Sequence, residues 1–487
     1  MWFSVLVFLL ITLMVGIHSS IRVAGKVRNY YVAGNIIPSW VIVLSLAGQA
    51  VDVASTETHA ELSLSAGFWI GAALPLGIGV SLLLIGLFCA ERIHKLKLLT
   101  LVDFYLHRYN PRVEFLAGII CITSFIFLLA SNLAGVGVLL HFVLGIEIYK
   151  GVVLVALVVL CCTVAGGLFA VVWNDVLHVG VIVVGFVGML IWLLFNLDSS
   201  VISQQISESF SWQPLYKQEY SPLQFWAPFV ALAIGDIVAL DFMERVFAAK
   251  TGKKARQSCL LAGGLTILVG LIIALISLLI PLFTGDDKQV TFLQFVANYL
   301  PVGLGMMVFM AFIAACVSTA DGALMACSKV LSKNILKGNF PQLINDKNLL
   351  LISRLSAIPL MVIASVIALT HSAPGELLVI AFEVVLAGCL VPLIFGLYWS
   401  KATATAAFWS MLLTCMIRLL VLFFIPESWV GIDTLLSPIC CAIIFVIINQ
   451  CVCSKTAAAT KSAETKAASK DGNVNFQTSG NASGMES

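Results

Sequence analysis

Runs of about twenty apolar residues recur along nearly the whole of this sequence, and such a run crosses roughly 30 Å of hydrocarbon as a helix. Of the 487 residues, 60% are apolar and 11% charged, against about 25% charged in soluble domains. One integral membrane domain therefore accounts for almost all of the chain, and the lipid bilayer is its main solvent. A net charge of +2, with the basic residues scattered through short loops, gives no patch for nucleic acid.

Reading apolar runs against charged breaks gives spans near 2–19, 38–68, 69–90, 114–142, 150–168 and 176–197 before the longest polar loop, Asp198 to Pro222. Spans near 223–247, 257–283, 301–331, 348–370, 375–398, 402–424 and 432–452 follow it, about thirteen in all. The first run, Trp2 to Ile17, has no basic residue before it and Arg22, Lys26 and Arg28 after it. A cleaved signal peptide has the opposite order, so the run reads as a retained span with its N-terminus outside. With that orientation, all of the 27 Lys and Arg residues except Lys150, Lys217, Lys288 and Arg418 fall inside. An odd span count puts the C-terminus in the cytoplasm. The domain then runs over residues 1–453, followed by a disordered cytoplasmic tail at 454–487. The sequon Asn481-Ala482-Ser483 lies on the wrong side for glycosylation. The thirteen cysteines sit in spans or at their inner ends, which argues against a disulfide framework.

Two spans carry polar interruptions that a lipid-facing helix would not, because a mid-membrane charge costs at least a few kcal/mol. The second holds Asp52, Ser55, Thr56, Glu57, His59 and Glu61; the seventh holds Gly235, Asp236 and Asp241. If residues 38–197 and 223–398 are two five-helix repeats, each interruption opens its repeat. That is the pattern of an inverted-repeat transporter, whose broken helices present carbonyls and dipole ends near the midplane. The plainer alternative is an outer helix end with snorkelling acids.

The ninth span contains Ala315-Cys316-Val317-Ser318-Thr319-Ala320-Asp321. Adjacent Ser and Thr in a membrane helix commonly bond a carbonyl one turn back. Beside a broken helix they offer something else, since sodium is a hard cation that prefers oxygen ligands. Ala315 lies one turn before Thr319, so its carbonyl and the hydroxyls can converge.

Several motifs together resemble the sodium/solute symporter family, which includes sodium/glucose, proline, pantothenate and choline carriers. They are Tyr31-Val32-Ala33-Gly34, Leu99 to Tyr105, Gly166-Gly167-Leu168 with Val172-Trp173-Asn174-Asp175, and Ser318-Thr319-Ala320-Asp321, within roughly Asn29 to Lys401. The resemblance implies an all-α, LeuT-like fold of two inverted five-helix repeats and alternating access around a midplane site. It also implies sodium as coupling ion, with no other cofactor. Its ligands would be the Ser318 and Thr319 hydroxyls and the carbonyls of Ala315, Gly48 and Val51.

The sequence departs from the family pattern around Thr58, where a glycine is usual. Asp52 nearby is open to several roles: neutralising sodium, binding a cationic group, accepting a proton, or pairing with helix N-terminal amides. Glu57 and Glu61 face either a vestibule or a binding site. Trp173 and Asp175 are expected to fix an inner loop, and Arg418 to snorkel. Within the spans Asp52, Asp236, Asp241 and Glu383 stand against Arg418 alone. Asp52, Asp236 and Asp241 are the candidates for substrate or coupling. A small cationic or zwitterionic solute, such as choline, a betaine or an amino acid, is then easier to hold than an anion. Trp69, Phe225 and Trp226 offer either cation–π faces or belt anchors. The competing readings are a proton-coupled carrier or antiporter working through Asp52 and Asp236 and, more weakly, a sugar symporter. No metal-ligand spacing, nucleophile elbow or phosphate loop supports an enzyme. The plasma membrane is the expected location.

Overall fold

The computed structural model describes residues 2–52, 54–198, 202, 222–284, 290–371, 373–424 and 431–454. The expected tail and its sequon at Asn481, most of the Asp198 to Pro222 loop, and Lys217 and Lys288 lie outside them. In hydrocarbon every backbone N–H and C=O must find its partner within the chain, and the helix supplies this segment by segment. Among the described residues there is no strand, and a single parallel bridge joins Ile37 to Ala249.

The membrane-length elements begin with α1 (Trp2–Val23), the bent pair α2 (Ser39–Ala50) and α3 (His59–Ser65), and α4 (Phe68–Lys95). Next come α5 (Pro111–Leu144), α6 (Ile148–Asn196), the bent pair α7 (Pro222–Gly235) and α8 (Leu240–Ala248), and α9 (Gly252–Thr284). The last are α10 (Val302–Lys337), α11 (Asp346–Thr370), the bent pair α12 (Pro374–Gly388) and α13 (Leu390–Tyr398), α14 (Ala404–Phe424), and α15 (Ile432–Ser454). Among the described residues nine helices are long and apolar enough to span singly, or up to twelve if each bent pair is one span. Their ends follow ordinary capping chemistry. Asn110 accepts from Val113 N ahead of Pro111, and Gly145 closes α5 at φ 68°.

The 49 residues of α6 cover the two spans expected at 150–168 and 176–197 and the loop expected between them. Gly167 breaks the helix at φ 53°, ψ −144°. Cys162 Sγ lies 3.7 Å from the Thr12 carbonyl and His178 Nε2 lies 3.2 Å from Thr12 Oγ1. In a straight helix those two residues would stand about 24 Å apart. The chain therefore reverses at Gly167, and both arms lie along α1. A Cβ at Gly167 would sit 2.5 Å from the Tyr30 ring and 2.8 Å from the Tyr30 carbonyl, at a φ that L residues rarely adopt. Gly167→Ala is expected to lower the melting temperature and yield of purified protein sharply. An unchanged melting curve would show that the elbow tolerates a side chain.

Helix α10 occupies the centre, packed on α6, α5 and α11, and every residue from Val308 to Lys329 is buried. Its inner end is held by polar contacts. The Tyr31 hydroxyl lies 3.0 Å from Ser332 Oγ and 2.7 Å from Ser353 Oγ, placed there by the left-handed turn at Ala33 and Gly34. Asp103, in the short helix Val102–Arg108, takes Leu99 N, Thr100 N, Asn334 Nδ2 and the Lys333 ammonium. Burial works to raise its pKa, but Lys333 and these hydrogen bonds outweigh it and hold the carboxyl below its ordinary value. The bridge from Ile37 to Ala249 is reinforced by Asn35 Nδ2 donating to the Phe247 carbonyl and by His94 Nε2, 2.9 Å from the Ala249 carbonyl.

Arg418 does not snorkel. It is 7% exposed and pairs with Glu383 and, at 3.2 Å, with Asp433, while Thr434 also donates to Glu383. A guanidinium between two carboxylates on α12 and α15 is cheaper inside the bundle than stretched towards an interface. The cluster fastens α14 and α15 onto α12. No two of the thirteen cysteines form a disulfide.

Candidate functional site

The polar interruption of the second span is a break of 71° between α2 and the segment leading into α3. Asp52 and Ser55 make a reciprocal cap: Asp52 N donates to Ser55 Oγ and Ser55 N to Asp52 Oδ1, each at 2.8 Å. In an unbroken helix those two amides would go to the carbonyls of Gly48 and Val51. Both carbonyls are thereby taken off the helical ladder, at the two positions expected to face sodium. Asp52 pairs with a helix N-terminal amide, one of the roles the sequence left open.

Helix α10 brings its hydroxyls to this break. Thr319 Oγ1 donates to the Gln49 carbonyl at 3.2 Å, and Gln49 Nε2 donates to the Ser318 carbonyl at 2.7 Å. Gly48 permits the approach, since a Cβ there would lie 3.1 Å from Ser318 Oγ. Ala315 follows on the same buried helix, one turn before Thr319. Ser318 donates its proton to Asp175 Oδ1 at 2.6 Å and accepts a long contact from Gln49 Nε2 at 3.4 Å, which leaves its oxygen one further lone pair. The structure thus brings the Ser318 and Thr319 hydroxyls up to the break at Gly48 to Val51, where the expected ligands are all oxygens.

Asp175 is the hub beneath that set. Besides Ser318 it receives Ser45 Oγ, Gln49 Nε2 at 3.0 Å and Arg245 Nη2 at 3.0 Å. Arg245 extends the chain of charges through Glu244, 3.8 Å away, to Lys329, whose ammonium lies 2.7 Å from Glu244 and 2.7 Å from the Tyr31 carbonyl. Two acids and two bases, all buried, thus tie α8 to α6, α10 and the Tyr31 turn. Asn174 and Thr163 hold Asp321 one turn further along α10.

The second interruption lies at Gly235 to Ala239, where a short 3₁₀ turn separates α7 from α8 with a bend of 43°. Asp236 is 1% exposed, and neither carboxyl oxygen has a hydrogen-bond partner among the described residues. Its electrostatic neighbours are Asp241 and Asp52, also acids. Asp241 accepts from Phe242 N at 2.8 Å and lies beside Arg245. Asp236 is therefore a buried carboxyl group with neither a hydrogen bond nor a basic partner among the described residues. Further along α3, Glu61 accepts from Phe292 N at 2.8 Å and His59 Nε2 lies 2.9 Å from the Gly270 carbonyl, so both hold structure. Phe225 is buried against Ile70 and Ala73, and Trp226 is 43% exposed, as a belt residue would be.

The profile of the sodium:solute symporter family matches residues 30–414, well over half of the chain. The chain belongs to that family. Among curated relatives, this symporter is 24% identical to the sodium/glucose cotransporter of Vibrio parahaemolyticus over 84% of its own length and 82% of the relative's. It is 25% identical to the sodium/pantothenate symporter of Haemophilus influenzae, over 80% and 84% of the two lengths. With the human high affinity choline transporter 1 it shares 24% identity, over 72% of this chain and 65% of that one. Among solved structures, a Na+-coupled sialic acid symporter superposes with a TM-score of 0.79 at 17% identity, over 92% of this chain and 97% of that one. The symporter is thus an integral, multi-pass, all-helical membrane protein of LeuT-like fold that couples sodium to a small solute, and not an enzyme.

Three features of the symporter's site escaped the sequence reading. Asp175, assigned to a loop, is on the second arm of α6 and bonds Ser318. Arg245 and Lys329 were left out of the balance of acids and bases, yet both are fully buried, with Glu244 beside them. Gln49, an amide in an otherwise apolar run, was the available signal for a polar contact between helices.

Proposed function

We propose that the symporter carries a small solute bearing a positive charge, cationic or zwitterionic, with its cationic group at Asp236 and sodium at Gly48, Val51, Ala315, Ser318 and Thr319. The observation that carries this reading is the Asp236 carboxylate: buried, without a hydrogen bond, and surrounded by acids rather than bases. A cationic group of the solute would give that carboxyl the counter-charge it lacks among the described residues. The choline relative is consistent with such a solute. Residues 38–197 and 223–398 act as the inverted repeats, each opening with its broken helix. The N-terminus lies outside, the C-terminus in the cytoplasm, and the plasma membrane houses the protein.

The test is radiolabelled uptake of choline, betaine, proline, pantothenate and glucose, with sodium exchanged for an inert cation at fixed pH. Asp236→Asn is expected to reduce uptake of the ammonium-bearing solute on the order of 30-fold, the effect of removing one partner of a buried charge pair. Uptake that favours glucose or pantothenate and survives Asp236→Asn would refute the assignment. Uptake driven by a proton gradient without sodium would transfer the coupling role to Asp52 and Asp236.

A further inference from the structure

We infer that the recess at the Arg22 end of α1 binds the headgroup of an anionic phospholipid. The recess has a volume of about 460 Å³ and is lined by Met14, Val15, His18, Ser19, Arg22 and Trp173. Two of these bring donors with nothing to donate to. The Arg22 guanidinium lies 5.3 Å from the Trp173 ring centroid and makes no ion pair among the described residues. Trp173 Nε1 is buried without a hydrogen-bond partner. The unpaired guanidinium and the unpartnered indole N–H belong to residues that line one recess, and a phosphate reached by both would satisfy them.

The surroundings select a lipid over a soluble phosphate. Leu10, Met14, Ile17 and Ile21 form an exposed apolar stripe that runs along α1 to the recess and would receive acyl chains. Trp173 packs edge-on against the exposed Trp40 with ring centroids 6.0 Å apart, as aromatic residues do at the headgroup level. No acid lines the recess. The positive field therefore favours a net negative headgroup over a zwitterionic one. The site lies where the α1 end meets the second arm of α6, and its test reads lipid retention and not uptake, so it does not rest on the solute assignment.

The experiment is native mass spectrometry of the full-length protein released from vesicles of equimolar phosphatidylglycerol and phosphatidylcholine. Phosphatidylglycerol should be retained in preference. Arg22→Ala should lower its retention about fivefold, Arg22→Lys should keep most of it, and Trp173→Phe should weaken it with the ring intact. Equal retention of the two lipids, or retention indifferent to Arg22→Ala and Trp173→Phe, would overturn the inference. So would displacement of the lipid by millimolar inorganic phosphate, which would reassign the recess to a small anion. Trp173→Phe keeps the test decisive if Arg22→Ala does not fold.

Discussion

Alanine at both Ser318 and Thr319 is expected to raise the sodium concentration for half-maximal uptake by about 5- to 150-fold, the usual range of a coupling free energy between sites. The change removes two of the five assigned oxygens, while the carbonyls of Gly48 and Val51, beside the Asp52–Ser55 cap, and of Ala315 on α10 remain. Binding linkage is reciprocal, so solute affinity at saturating sodium should recover while affinity at low sodium falls. Sodium dependence measured at several solute concentrations separates this from a general loss of activity. A double variant with unaltered sodium dependence would remove α10 from the ion site.

Arg245→Met should be the more damaging change to the protein itself. It strands Asp175 and unbalances Glu244 in a fully buried network, and removing one partner of a buried pair costs about 3–5 kcal/mol. Yield and melting temperature should both collapse. Adding Asp175→Asn removes the stranded charge and should restore a large part of the stability. It should not restore transport, because Ser318 would lose the carboxylate that takes its proton. If the double variant is no more stable than the single one, the ion pair is not what Arg245 contributes.

The membrane class and most spans were legible because they depend on run length and charge placement, which a linear reading captures. That Ser318 and Thr319 would meet the first broken helix was legible for a related reason: hydroxyls in an apolar helix need a partner, and the carbonyls of a broken helix supply one. The reversal between the spans at 150–168 and 176–197 was legible, but as a loop; its form, a single break at Gly167 with helical turns almost up to it on both sides, was not. Arg418, Arg245 and Lys329 were misjudged because a charge near a helix end is normally solvated. Only the three-dimensional arrangement brings Glu383, Asp433, Asp175 and Glu244 to them. Asp236 was singled out for being acidic in an apolar segment. That it has no partner could be learned only from its neighbours.

The bridge between Ile37 and Ala249 bears on how such a machine can flex. It pins the entry to α2 against the exit from α8, so the two broken helices share one anchored end and swing as a single lever. With that end fixed, compliance is left at the interruptions themselves, at Val51–Asp52 and Asp236–Ala239. The joints that must yield are therefore the places proposed above for ion and solute. On that proposal, cargo lodged there would act as a bolt through the hinge, and its arrival or departure would change how freely the lever turns.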